Sequence, residues 1–450
     1  MAAADQATDP RPGPHRRSRG EVVAGTRRHL APADRRTIRR RAARSPAMSV
    51  PVDSLPPIRW PDRPRSSYDV VIVGGGGHGL STAYYLATRH QLTNVAVLEA
   101  DYIVSGNTGR NTTIIRANYG LPEAIRFYQH SLEMYRDLEQ EIGAAILHQT
   151  RGIVWTAHTE TAMRTERARC LVNTACGART VMISPAELKD VVPQIDLAGG
   201  GRYPVLGASH HLDGATARHD RVAWGYAAGA SQRGVDILQH TPVTGLVHAG
   251  DRVAGVQTPG GPIAAGVVLS AVGGRVTALA AHAGVRLPIR THPLHAFVTN
   301  NYAQELGSIV ASTELVCYVS QTERGQMLIG AEFDAQPSYS RQSSFSALRA
   351  YAYKMTKLLP FLRELRILRS WAGICDISTD FSPIMGETGV DGFLVTTGWG
   401  TWGFKAIPAG GEAMAELIAT GRAPALIEPF RLDRFARDHL VADHGSAGTR

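Results

Sequence analysis

Gly74-Gly75-Gly76-Gly77-His78-Gly79 sets glycines in a Gly-x-Gly-x-x-Gly frame on Gly74, Gly76 and Gly79, with Gly77 inside the same turn. Such a turn has no side chains in the way and can open onto helix N–H groups that hold a pyrophosphate. Glu99, 20 residues past Gly79, can accept hydrogen bonds from ribose hydroxyls. An acid there, rather than an arginine, disfavours a phosphorylated nicotinamide cofactor. Arg116 follows Ile114-Ile115, and its planar fork suits bidentate binding of a carboxylate. Lys405 stands out by rarity, since the chain has only four lysines among 48 basic residues. A lysine closing Gly398-Trp399-Gly400-Thr401-Trp402-Gly403-Phe404 therefore marks a place where a compact ammonium is used. On sequence alone His219 is a cap or surface residue and His78 is loop filler. Cys375 is a small buried apolar residue.

These residues need elements to carry them. Tyr68–Val73 fits a buried parallel strand, Leu80–His90 a helix, and Val95–Leu98 a second strand ending at Glu99. Strand, glycines, helix, strand and acid in that order predict a dinucleotide site. Strands at Gly234–Leu238, Thr241–His248, Arg252–Thr258 and Val267–Ala271 return the chain to this unit. A strand at Gly392–Thr397 and a helix over Lys405–Gly421, with Pro408 in its first turn, return it again. The repeated late return favours a flavin enzyme. The expected fold is α/β plus α+β, a discontinuous Rossmann-like FAD-binding domain over 66–150, 200–287 and 376–437. An antiparallel-sheet substrate domain over 151–199 and 288–375 accompanies it.

The 450 residues are 44% hydrophobic, enough for two such domains. No run of 18 apolar residues exists, which excludes a membrane-spanning helix. Twelve arginines and four acids lie in residues 1–47, so that segment carries nearly all of the net charge of +9. The body is close to neutral, shows no basic stripe, and is not expected to bind nucleic acid. Residues 1–47 are too poor in large apolar residues to fold and are expected to be disordered. Met48 is the expected true start, with 1–47 upstream of it. Four cysteines without a Cys-x-x-Cys pair argue against a disulfide framework and a thiolate zinc site. They fit a reducing, cytoplasmic location.

Tyr68–Gly79, Asn111-Thr112-Thr113-Ile114-Ile115-Arg116, Arg218-His219-Asp220 with Val222-Ala223-Trp224, and Gly398–Lys405 together resemble the beta subunits of heterotetrameric sarcosine oxidase. The resemblance runs from about residue 60 to the C-terminus, and the family's chain begins near Met48. It implies the fold of the D-amino-acid and sarcosine oxidase group. It also implies noncovalent FAD on Gly74, Gly76, Gly77, Gly79 and Glu99, on Asn111, Thr112, Thr113 and Val243, and on Gly398, Gly400, Thr401, Gly403 and Phe404. Arg116 and Lys405 would face the substrate carboxylate beside the flavin, and the helix starting at Lys405 would stabilise negative charge on the reduced ring.

The family's histidine at position 219 bonds covalently to FMN, a second flavin held between alpha and beta subunits. The implied partners are alpha, gamma and delta subunits, with NAD and tetrahydrofolate on alpha. Sarcosine and oxygen would give glycine and hydrogen peroxide, the one-carbon unit leaving on tetrahydrofolate or as formaldehyde. In single-chain relatives a cysteine in a segment like that of Cys375 bonds FAD, and an oxygen-activating lysine lies on the strand matching Met327–Gly330. That strand holds no base here, so oxygen is expected to react at FMN. Trp402 departs from the family's small residue and is expected to narrow the site's mouth. A stand-alone, one-flavin amine or amino-acid oxidase or dehydrogenase stays open, as does a non-catalytic flavin-binding scaffold.

Overall fold

A computed structural model describes residues 55–443. The expectations for residues 1–47 and Met48 lie outside the described residues. Strand β1 (Ser67–Val73) alternates its side chains between two cores: Val70 and Ile72 enter one, Val71 and Val73 the other. A strand buried on both faces sits at the middle of a layered sheet. β1 pairs in parallel with Val95–Leu98, here β2, on one side and with Gly261–Ser270 on the other. Asp236–Leu238 extends the parallel set beyond β2, and Phe393–Thr397 extends it beyond Gly261–Ser270. Gly245–Ala249 and Arg252–Thr258 add an antiparallel hairpin, and Ile384–Glu387 pairs with Phe393–Thr397. Residues 241–244 stay outside the strand expected over Thr241–His248.

Helix α1 (Gly77–Arg89) begins directly after the glycine turn. Its expected apolar face (Leu80, Ala83, Tyr84, Ala87) is buried, as are Tyr85 and Leu86, because helix Ile407–Thr420 covers its other side. Gly79 permits the close crossing of α1 over the turn: a Cβ there would run into the Gly74 carbonyl. Backbone cannot step aside as a side chain can. Gly79→Ala is therefore expected to destabilise the FAD-free chain by about 1–3 kcal/mol, read by urea denaturation.

The second sheet has eight strands in the order Ile367–Ser378, Ile289–Asn301, Gln326–Phe333, Cys317–Gln321, Ile309–Ser312, Ile153–Ala157, Gly207–His211 and Thr180–Ile183. All neighbours are antiparallel except Ile309–Ser312 with Ile153–Ala157, which run parallel. Gly207–His211 thus belongs to this sheet and not to the nucleotide-binding segment expected over 200–287. Its small and polar residues give no strand signal of their own, and pairing on both edges makes it one. The C-terminal helix differs by a turn. Phe404–Ala406 is a 3-10 turn, and the α-helix starts at Ile407, with proline in its first turn. No helix among the described residues is long and apolar enough to cross a membrane.

Candidate active site

The carboxyl ends of the parallel strands open into a cavity of about 680 Å³ between the two sheets. Gly74, with φ of +117°, turns the chain out of β1 and donates its N–H to Leu98 O at 2.8 Å. Only glycine takes that conformation without strain. Gly74, Gly76, Gly77 and Glu99 all border the cavity, while Gly79 lies beneath them as packing. Glu99 accepts the Gly75 N–H at 2.8 Å, and Thr108 Oγ1 accepts the Gly77 N–H at 2.9 Å. A carboxylate at the tip of β2 beside a helix N-terminus whose N-cap, Gly76, carries no capping side chain is the donor and acceptor set that a ribose and a pyrophosphate require. The residues present therefore fit FAD.

The loop from Asn107 to Thr113 forms another wall. Asn107 clamps strand Ile367–Ser378, donating to Ile374 O at 2.7 Å and accepting from Ile374 N at 2.9 Å. Asn111 ties the loop to itself through Thr108 O and the Thr113 N–H, and Thr112 Oγ1 donates to the Tyr318 hydroxyl at 2.9 Å. Asn111, Thr112, Thr113 and Val243 border the cavity. So do Gly400, Thr401, Gly403 and Phe404, whereas Gly398 sits behind them and shapes the turn.

Arg116 and Lys405 both reach the cavity wall and both are buried. Arg116 donates to Asn118 O and Oδ1 at 3.0 Å each and lies over the rings of Tyr119 and Trp155, at 4.3 and 5.0 Å. Those contacts fix its fork. Lys405 Nζ donates to Thr401 O at 3.2 Å, and no carboxylate among the described residues pairs with it. Burial, with the charge of Arg116 beside it, holds the Lys405 ammonium well below the ordinary lysine range.

Several cavity-lining positions escaped the sequence. Asp376 is buried at the cavity edge and accepts from Thr397 Oγ1 at 2.8 Å and from the N–H groups of Gly398 and Trp399 at 2.7 and 3.3 Å. An acid in the apolar run at the end of strand Ile367–Ser378 was the available signal. Burial raises its carboxyl above the ordinary range, opposed by those hydrogen bonds. His78 is no filler: it borders the cavity and contacts the Trp399–Gly403 loop. Trp402 does not narrow the mouth. It is buried in the core against Tyr119 and Tyr128, with ring centroids 4.7 and 6.0 Å away. Among the described residues of strand Gln326–Phe333, Ala331 borders the cavity and no base does.

Cys375 also borders the cavity, but burial pushes its thiol up, away from the thiolate that covalent chemistry uses. Cys375→Ser is expected to leave flavin content unchanged and all FAD extractable by acid, measured by absorbance of the supernatant.

His219 is apart from this group. It opens helix His219–Ser231 and borders a second cavity of about 940 Å³. Ser105, Arg110, Asn111 and Thr113 border both cavities, so a single loop divides them. Burial draws the His219 imidazole below its ordinary 6.5, and its Nδ1 is buried with no hydrogen-bond partner among the described residues. A neutral ring with a free lone pair at a cavity wall fits a covalent attachment point for a second flavin.

The family model for FAD dependent oxidoreductases matches residues 69–417. The chain is 40% identical over 393 residues to sarcosine oxidase subunit beta of Arthrobacter sp, covering 87% of this chain and 97% of that one. It is 41% identical over 385 residues to the subunit of the same name from Rhodobacter capsulatus, covering 86% and 92%. Among solved structures, L-proline dehydrogenase from P. horikoshii superimposes with a TM-score of 0.78 at 28% identity, covering 83% of this chain and 99% of that one.

Proposed function

The chain belongs to the family of sarcosine oxidase beta subunits among the FAD dependent oxidoreductases, and from that premise we propose how its own residues oxidise sarcosine within a multi-subunit complex. It is an FAD-dependent oxidoreductase acting on the CH–NH bond of a secondary amine. Lys405 carries the reading. A buried ammonium with no acid partner among the described residues is costly, and a substrate carboxylate supplies the missing charge.

Arg116 offers the second half of the clamp, its fork held by Asn118 and the two aromatic rings. Two cations on one small zwitterion orient it, and orientation is most of what a protein adds to flavin chemistry. Their field also raises the energy of the substrate's own ammonium, which favours the neutral amine that the redox step needs. Gly74, Gly76, Gly77 and Glu99 would hold the pyrophosphate and ribose of FAD, with Gly79 and Gly398 shaping the turns from behind. His219 would hold FMN covalently. When bound, FAD supplies a two-electron acceptor for sarcosine, and FMN supplies the outlet from which oxygen is reduced to hydrogen peroxide.

The products are glycine and a one-carbon unit, transferred to tetrahydrofolate or released as formaldehyde. Alpha, gamma and delta subunits complete the assembly, with NAD and tetrahydrofolate on alpha. The test is anaerobic. Sarcosine added to the assembled complex bleaches the flavin absorbance, while a flavin that stays oxidised sinks the reading in favour of a scaffold.

A further inference from the structure

The glycine turn and the lysine loop meet at one side chain. His78 is the second residue of α1, so it is fixed to the helix end that faces the cavity. Its ring lies flat on Trp399, with centroids 4.1 Å apart and planes 12° from parallel. Its Nε2 is 3.0 Å from Gly403 O. A carbonyl only accepts, so this contact assigns the proton to Nε2.

The next two carbonyls are pinned as well: Tyr135 donates to Phe404 O and Ser131 to Lys405 O, each at 2.6 Å. Three consecutive carbonyls leading into the lysine are thus held by three side chains. Of those three, only His78 borders the cavity. Its other nitrogen, Nδ1, is buried against Gly410 without a hydrogen-bond partner among the described residues. An orphaned lone pair is a cost that an apolar side chain would avoid. The ring is kept for what Nε2 and its flat face do.

We propose that His78 is a positioning residue for the substrate carboxylate: its bond to Gly403 and its stack on Trp399 fix the 399–405 loop, and so place the Lys405 ammonium in register with the glycine turn. The proposal rests on the assignment of Lys405 made above. Burial holds the His78 ring neutral, its pKa pushed down to about 3, so it adds no charge to the pocket. It acts by geometry, and it joins the nucleotide end of the site to the carboxylate end as one rigid unit.

The probe is methoxyacetate, which is sarcosine with an ether oxygen in place of nitrogen. Its Kd is read from the perturbation of flavin absorbance in the assembled, FAD-loaded complex. His78→Leu is expected to raise that Kd about tenfold, and His78→Gln, which keeps an N–H donor, to stay within about twofold of wild type. In a Lys405→Met background, His78→Leu is expected to add less than about twofold, because a residue acting through Lys405 has nothing left to position.

A purely structural role gives the opposite pattern: glutamine as harmful as leucine, or effects that add fully to those of Lys405→Met. Either result overturns the proposal, as does an unchanged Kd in His78→Leu. Should the leucine variant fail to load FAD, His78→Asn, too short to reach Gly403, carries the same comparison. Failure of the underlying assignment looks different. Wild type then ignores methoxyacetate, or Lys405→Met binds it as well as wild type, and the role of His78 falls with it.

Discussion

Lys405→Met is expected to lower kcat/KM for sarcosine by between about 30- and 4,000-fold, the equivalent of losing roughly 2–5 kcal/mol when one partner of a buried charge pair is removed. Methionine nearly matches the shape of lysine and carries no charge, so the change isolates the ammonium. Arg116 remains and keeps part of the binding, which sets the upper limit. The loss is read by steady-state kinetics in the assembled complex, with FAD content checked by absorbance. If Lys405 binds ground state and transition state equally, the effect falls on KM; if it orients the amine for the redox step, kcat falls too.

A second readout follows from burial. In the free site the ammonium is held well below its ordinary value of 10.5, by burial first and by Arg116 second. A bound carboxylate favours the protonated form. Methoxyacetate affinity should therefore be full at low pH and fall as pH rises through that lowered pKa, earlier than an exposed lysine would give. Lys405→Met removes this limb of the profile. The same substitution should raise the thermal midpoint of the FAD-free chain, since it deletes a buried charge that no acid among the described residues pairs with. Lower activity with higher stability is the signature of a residue kept for function. Lower activity with lower stability would mean that Lys405 holds the fold instead.

What could be read from the sequence divides by the range of the interactions. β1, the glycines, α1, β2 and Glu99 are legible because each signal is local and they occur in a fixed order within about 30 residues. Lys405 is legible for a different reason: lysine is so rare in this chain that its identity carries information. Gly207–His211 is not legible, because two neighbouring strands rather than its own residues make it a strand. His78 and Asp376 are hidden in another way. His78 meets Gly403 across 325 positions of chain, and Asp376 meets Gly398 across 22, so neither role has a local pattern. Trp402 shows the limit of arguing from residue size. A large side chain in a glycine-rich loop can point into the mouth or into the core, and the stack of Tyr119 and Tyr128 takes it into the core. The start of the last helix slipped because Phe404–Ala406 forms a narrower, 3-10 helical turn before Pro408.

His219→Ala is expected to abolish covalent flavin while sarcosine still bleaches FAD. Attachment to an electrophilic flavin carbon needs a ring nitrogen with a free lone pair and no proton on it. Burial favours the neutral form of His219, which leaves one of its ring nitrogens unprotonated, and Nδ1 has no hydrogen-bond partner among the described residues. Its neighbour Arg218 is already paired, with Asp220 at 2.6 Å and with Glu323 at 3.0 Å. Alanine keeps the helix start and removes only the ring. After acid precipitation the wild-type pellet should be yellow and the His219→Ala pellet white, with FAD in both supernatants. Peroxide formation should fall far more than anaerobic bleaching does, because the outlet is lost and the carboxylate clamp is not. The two cavities share only the loop through Ser105, Arg110, Asn111 and Thr113, so damage at one need not reach the other. A yellow pellet from the alanine variant, with the flavin mapped to Cys375, would place the attachment in the first cavity and make the protein a one-flavin enzyme. Rapid oxygen-driven recovery of FAD colour in the variant would also return oxygen chemistry to the FAD face, where no described residue of strand Gln326–Phe333 brings a base to the cavity.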